Sequence, residues 1–316
     1  MKLMNPYNEF NRILSRFESG KISTEDAIQK ITVNSKANAN EKNKEESLEA
    51  LIKELDQMVG LEKIKIFVKE IYAYIEIQKK RKDEQLLTDS LVMHMIFKGN
   101  PGTGKTTVAR LLGKIFLEMG VLEKGHLIEV ERADLVGEYI GHTAVKVRDH
   151  IRKAMGGILF IDEAYSLARG GEKDFGKEAI DALVKGMEDY KENLVLILAG
   201  YHDEMEIFLK SNPGLKSRFP IHIDFPDYEL DDLLRIGDLM VEKREYRLSM
   251  SAKAKLAKIV TKKRMEDRVL SGNARLVRNI IERAIRKQAV RLQKVSALSK
   301  DDLITIRSED ITDEDL

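Results

Sequence analysis

The stretch that most constrains this chain is HMIFK running directly into GNPGTGKTT (99–107) and on into VARLLGKIFLEM. An apolar run too short for a helix, a glycine-rich turn and a helical period give strand, loop and helix in that order. The loop fits G-x-x-x-x-G-K-[ST], whose turned amides and helix N-terminus cradle phosphate oxygens. The residues expected to hold a nucleotide are Gly99, Asn100, Pro101, Gly102, Thr103, Gly104, Lys105, Thr106 and Thr107. Lys105 reaches the β and γ phosphates and Thr106 offers its hydroxyl to Mg²⁺, so ATP and Mg²⁺ are the expected cofactors.

A second stretch, ILFIDEAY (158–165), is four apolar residues ending in two carboxylates. That is the form of a buried strand delivering acids to its C-terminal edge, where open α/β sheets bind ligands. Asp162 is placed to hold Mg²⁺ through water, and Glu163 to orient and deprotonate an attacking water. A carboxylate base beside the metal carboxylate points to hydrolysis over phosphotransfer to a second substrate.

Around these motifs the apolar runs LVMHMIF, LIEVE, ILFID, LVLILA and IHIDF alternate with helical stretches. The pattern predicts an α/β core with a parallel sheet covered on both faces. After Pro226 the strands are expected to stop, and a smaller domain of nearly all helical period to follow. In it VRNIIERAIRKQAVRL places Val277, Ile280, Ile281, Ala284 and Ile285 on one face. The predicted organisation is a helical hairpin over 1–34, a flexible linker over 35–47, a nucleotide-binding core over 48–226, a helical lid over 227–306 and an acidic tail over 307–316. The long helical region after residue 48 is expected to break near Met58-Val59-Gly60.

Charge and composition narrow the partners. Lys plus Arg number 54 against 53 Asp plus Glu, a net charge of +1. No global basic field exists to hold a nucleic acid or an anionic membrane, so neither is expected as a partner. The chain has no cysteine, which excludes disulfides, thiolate catalysis and cysteine-ligated zinc and suits a reducing compartment. With no N-terminal apolar segment and no long apolar run, the expected location is the cytoplasm.

Over about residues 48–306 the arrangement resembles the AAA+ ATPases. HMIFKGNPGTGKTTVAR, ADLVGEYIGHTA, GGILFIDEAYSLARGGEKDFGKEAIDALVKGMED, NPGLKSRFPIHIDFPDY and VRNIIERAIRKQAVRL are similar to the subgroup that joins a sporulation-associated ATPase with the red-type Rubisco activases, and lean to the former. The resemblance implies an adenine-side segment in LDQMVGLEKIK, with Val59 and Gly60 as contacts. It implies an arginine finger at Arg218, acting on a neighbouring subunit's γ-phosphate, and a second sensor at Arg275, with Arg278 one turn along as a substitute. The first sensor departs from the family pattern: Gly200-Tyr201-His202 stands where an asparagine or threonine is usual, leaving Tyr201 or His202 for the role.

The same resemblance implies a ring, usually of six copies, whose loop after the second strand faces a central channel. GEYIGHT (137–143) follows that layout, with Tyr139, Ile140 and Gly141 gripping a polypeptide. RGGEKDFGKEA (169–179) is a second glycine-bearing loop that could line the channel. The implied function is an ATP-hydrolysing remodeller of a protein client, associated with sporulation. The alternatives are a Rubisco-activase-like remodeller, a nucleotide-gated scaffold that recruits partners without threading, and a DNA-acting ATPase.

Overall fold

A computed structural model describes residues 15, 19, 46–88, 91–139, 141–169, 174–266 and 272–312. The chain forms two compact units, Met1–Lys53 and Glu54–Leu316. In the first, residues 46–53 are helical; the hairpin expected over 1–34 and the linker expected over 35–47 lie almost wholly outside the described residues.

The second unit is built on a five-stranded parallel sheet. Its strands are β1 (Met95–Gly99), β2 (Leu127–Val130), β3 (Ile158–Ile161), β4 (Val195–Gly200) and β5 (Ile221–Phe225), in the order β2-β3-β4-β1-β5. Each apolar run of the sequence supplies one strand. Every residue of β1, β3 and β4 is buried, as expected when helices cover both faces. Alternate side chains divide between the faces. On one face Ile96, Leu159, Ile161, Leu196 and Leu198 pack with Val147 and Ile151 of α4 (His142–Ala154) and with Ile180, Leu183 and Met187 of α5 (Gly176–Asp189). On the other, the ring of Phe97 meets those of Phe225 and Phe160, with centroids 4.9 and 6.5 Å away. The remaining helices of this layer are α1 (Glu62–Asp83), α2 (Lys105–Glu118), α3 (Arg132–Leu135), α6 (His202–Ser211) and α7 (Pro213–Arg218). The expected break before α1 is present as a bend over 58–60, with Gly60 and Leu61 both in the left-handed region (φ 68° and 65°).

Because β4 lies between β1 and β3, the loops leaving β1, β4 and β3 emerge side by side at one sheet edge. This strand order brings residues 99–107, 200–201 and 162–163 together despite their separation in sequence.

The lid comprises α8 (Leu230–Glu242), α9 (Met250–Glu266), α10 (Asn273–Leu292) and α11 (Lys300–Ile304), around Leu233, Leu256, Val277, Ile281 and neighbouring apolar side chains. Two expectations are corrected here. The lid is helical as expected, but strands do not stop at Pro226: β6 (Arg247–Leu248) and β7 (Thr305–Ile306) form a parallel pair, and two-residue strands are too short to show any alternation in sequence. Nor does an acidic tail begin at 307. Residues 308–310 form a 3₁₀ turn, Ile311 is fully buried, and the buried Asp310 carboxylate accepts bonds of 2.8 and 2.9 Å from the Arg291 guanidinium. The acidic composition reads as solvated, but a paired carboxylate can be buried. Among the described residues no helix is long and apolar enough to cross a membrane.

His94, immediately before β1, stitches the sheet to α5. The Leu196 N–H donates to its Nδ1 at 3.0 Å, so Nδ1 is unprotonated, and the Nε2–H donates to the Met187 carbonyl at 3.2 Å. Burial lowers its pKa, partly offset by the bond to Met187. A folded chain that keeps His94 neutral loses stability as the unfolded chain takes up a proton. That contribution is complete above the unfolded value, about 6.5, and declines as pH falls toward the folded value. Chemical denaturation between pH 7.5 and 5 is expected to show a smaller loss of stability for His94→Gln than for the wild type. An identical pH dependence would remove His94 as its source.

Candidate nucleotide site

A cavity of about 820 Å³ opens between the sheet edge and the lid, within the size range of small-molecule sites. Its lining includes the polar Lys105, Thr106, Asp162 and Glu163 and the apolar Met58, Val59, Ile236, Leu239 and Met240. A lining that combines cations and carboxylates with aliphatic side chains suits a phosphorylated nucleoside. Arg275 and Arg278, from the start of α10, line it from the lid side.

The Lys105 ammonium donates to the carbonyls of Gly99 at 2.7 Å and Asn100 at 2.9 Å. Its pKa is lowered, chiefly by burial; the charge of Asp162 opposes the shift and that of Arg275 adds to it. Both therefore act on the same ammonium. The Thr106 hydroxyl, 3.4 Å from Glu129, and Asp162 both line the cavity; a hydroxyl and a carboxylate are oxygen donors of the kind Mg²⁺ takes, the other positions going to water and phosphate. They fit the ion.

Glu163 adopts a left-handed backbone (φ 46°, ψ 42°) and donates its N–H to Asp162 Oδ1 at 3.0 Å. For a residue with a Cβ this conformation costs about 1–2 kcal/mol. Between the β1 and β3 loops stands Gly200-Tyr201. Tyr201 lines the cavity, its ring 5.9 Å from that of Tyr165; a Cβ on Gly200 would lie 2.7 Å from the Tyr165 ring, so only glycine fits there. His202 faces elsewhere, with Nδ1 at 3.2 Å from Asp203. Of the two first-sensor candidates, Tyr201 is the one at the cavity.

Val59, Pro101, Gly102, Gly104 and Thr107 also line the cavity, whereas Gly60, Gly99, Asn100 and Thr103 do not. Gly60 supplies the turn that presents Val59. Thr103 is buried and donates to the Asn100 carbonyl at 2.7 Å. Gly102 is where core and lid meet: a Cβ there would lie 2.2 Å from the Gly272 carbonyl, and its own carbonyl accepts the Ala274 N–H at 3.2 Å.

Residues 95–227 match the profile of the ATPase family associated with various cellular activities (AAA), and residues 229–315 match the AAA lid domain. The stage V sporulation protein K of Bacillus subtilis (strain 168) is 58% identical over 84% of this chain and 83% of that protein. A protein CfxQ homolog of Galdieria sulphuraria is 44% identical over 91% of this chain and 95% of its own. The chloroplastic ribulose bisphosphate carboxylase/oxygenase activase of Cyanidioschyzon merolae (strain NIES-3377 / 10D) is 43% identical over 85% and 92%. The chain belongs to the AAA+ ATPase family.

Two of the residues singled out in this AAA+ chain lie away from the cavity. Arg218, at the end of α7, pairs through Nε with Glu188 at 2.6 Å and donates from Nη1 to the Gly214 carbonyl at 3.0 Å. Tyr139 is 65% exposed, its ring edge-on to that of His142 at 5.4 Å; Gly141 caps α4, and Ile140 lies outside the described residues, as do residues 170–173 of the second loop.

Sequence reasoning missed a second group. Asp227, at the joint between β5 and the lid, accepts from the Asn100 amide at 3.0 Å and from that of Asn273 at 2.9 Å. Asn273, itself left-handed and buried, accepts the Tyr228 N–H at 3.1 Å. The Tyr228 phenol, its pKa pushed up to about 12 by burial, donates to the Thr103 carbonyl at 3.0 Å. FPDY and SGNAR carry no signal of this pairing when read separately. The apolar triplet Ile236, Leu239 and Met240 of α8 lines the cavity, and Ile236 and Met240 pack against the lid core as well.

Asp227→Ala should leave the Asn100 and Asn273 amides without their shared acceptor and loosen the lid over the cavity. Nucleotide affinity measured by calorimetry should fall about tenfold, the equivalent of one or two such bonds, with Asp227→Asn intermediate. Unchanged affinity in a folded Asp227→Ala protein would show that the joint does not hold the site together.

Proposed function

We propose that this chain is an ATP-hydrolysing motor that assembles as a ring, with six copies the usual number, and remodels a polypeptide client engaged through its channel, in the cytoplasm and without nucleic acid or membrane. The observation that carries the hydrolytic part is the convergence of Lys105, Thr106, Asp162 and Glu163 on one cavity roofed by Arg275. Lys105 holds the β and γ phosphates, and Thr106 and Asp162 hold Mg²⁺, which neutralises charge on the phosphates when bound. Glu163 takes the proton of the attacking water, and Tyr201 orients that water. Arg275 meets the phosphates from the lid. Identity of 58% to a stage V sporulation protein K supports a sporulation role; the Rubisco activase of Cyanidioschyzon merolae, at 43%, supports protein remodelling as the shared task.

The position of Arg218 supports assembly. It lies outside its own chain's cavity, tethered to Glu188, and so completes a neighbour's site. Arg218→Ala should bind nucleotide normally yet lose hydrolysis by roughly 10³–10⁵. Mixing it with Lys105→Ala should restore turnover, because some sites then pair an intact lysine with an intact finger. Mixed rings that recover nothing would place the action of Arg218 within its own subunit.

Tyr139 supports the channel. An aromatic ring left largely in water, edge-on to a histidine, is available to a passing chain. With casein as a permanently unfolded probe, wild-type turnover should change on addition of polypeptide and Tyr139→Ala turnover should not, at similar basal rates. Since the ring is exposed, the melting temperature should barely move. A Tyr139→Ala protein that responds to casein as the wild type does would refute the channel role.

A further inference from the structure

Arg132 opens α3, the short helix that leads from β2 into the Tyr139 loop, and its guanidinium bridges two other segments. Nη1 donates to the Ser166 carbonyl at 2.6 Å and Nη2 to the Asp174 carboxylate at 2.5 Å. Ser166 lies in the 3₁₀ turn Ala164–Ala168, which begins immediately after Glu163, and its N–H donates to the Glu163 carbonyl at 2.8 Å. Asp174 uses its other oxygen to accept the N–H of Gly176, the first residue of α5, at 2.6 Å. One side chain thus ties the segment after the hydrolytic acid to the segment before the exposed tyrosine.

The far side of this tie is equally closed. Lys146 of α4 donates to the carbonyls of Ala133 at 3.2 Å and Val136 at 3.0 Å, and the Gly137 N–H donates to the Thr143 hydroxyl at 3.0 Å. The Glu131 N–H donates to the Asp134 carboxylate at 2.9 Å, closing α3 on itself. Both ends of the loop carrying Tyr139 are therefore fastened to one small body, and Arg132 fastens that body to the turn after Glu163. Since the acceptor at Ser166 is a backbone carbonyl, the bond follows the path of the turn. The strained backbone of Glu163 is where that path can change, because a left-handed residue persists only while its surroundings hold it.

We propose that Arg132 is a positioning residue that couples the state of the hydrolytic turn at Glu163 to the placement of the Tyr139 loop. This rests on the roles given above to Glu163 and Tyr139. A planar guanidinium serves both acceptors at once, which a lysine ammonium at the same position matches poorly.

The chain contains no tryptophan, so Tyr139→Trp creates a single emitter on the loop. With Arg132 intact, its emission should differ between ADP and a non-hydrolysable ATP analogue. Adding Arg132→Ala should abolish that difference while nucleotide affinity by calorimetry stays that of the parent. Arg132→Lys, which keeps the charge and most of the packing, should restore part of it and carries the test if Arg132→Ala does not fold. An undiminished difference in the folded variant, or no difference in the parent, overturns the proposal. Failure of the channel reading is a separate result: the casein response would ignore Tyr139→Ala while the emission change still depended on Arg132.

Discussion

The Asp227 carboxylate is the contact on which the rest of the site depends. A carboxylate has acceptor capacity for several donors and offers none, so it can hold the Asn100 amide of the β1 loop and the Asn273 amide of the lid together. With Asn273 in place, α10 starts where the Gly102 carbonyl accepts the Ala274 N–H, and Arg275 and Arg278 come to line the cavity. The cavity wall on the lid side follows from this joint. Asp227 is itself exposed while Asn273 is buried, so the carboxylate is rehydrated easily when the joint parts. Such a joint can open and close without unfolding either layer.

Two lysines seven residues apart show how environment separates structure from chemistry. Lys98, buried at the end of β1, is held by Glu206 at 2.8 Å and Asp224 at 3.3 Å. Burial alone would lower its pKa, but the two carboxylates outweigh it and the net shift is upward. It joins β1, β5 and α6, with its charge matched by two carboxylates. Lys105 bonds only backbone carbonyls, with a lowered pKa. A phosphate would offer that ammonium a better partner than a carbonyl can, since a bond between two charged groups is about twice as strong as a neutral one.

On the proposed reading the molecule keeps its three moving parts in separate places. The cavity lies between sheet edge and lid, Arg218 is tied to Glu188 outside that cavity, and Tyr139 stands largely in water on a clamped loop. The Glu188 pair leaves Arg218 39% exposed. A half-solvated ion pair contributes little to stability and so yields easily to a neighbour's doubly charged γ-phosphate. Arg132 bridges the segments that follow Glu163 and precede Tyr139.

The sequence by itself determined the five strands, the phosphate loop after β1 and the acids after β3. Each is a local pattern: an apolar run of strand length, a glycine spacing, a carboxylate pair at a strand end. It also carried enough of the AAA+ pattern for Arg218, Arg275 and Tyr139 to be singled out in advance. Only the tertiary structure decided that Tyr201 rather than His202 turns to the cavity, because Tyr201 caps α6 just past the strand end while His202 is already the first residue of the helix. The lid's β6–β7 pair, the buried Asp310, the Asp227 joint and the Arg132 bridge were likewise illegible. Each joins residues between 19 and 127 positions apart, and a hydrogen bond between distant polar side chains leaves no periodicity in the chain that makes it.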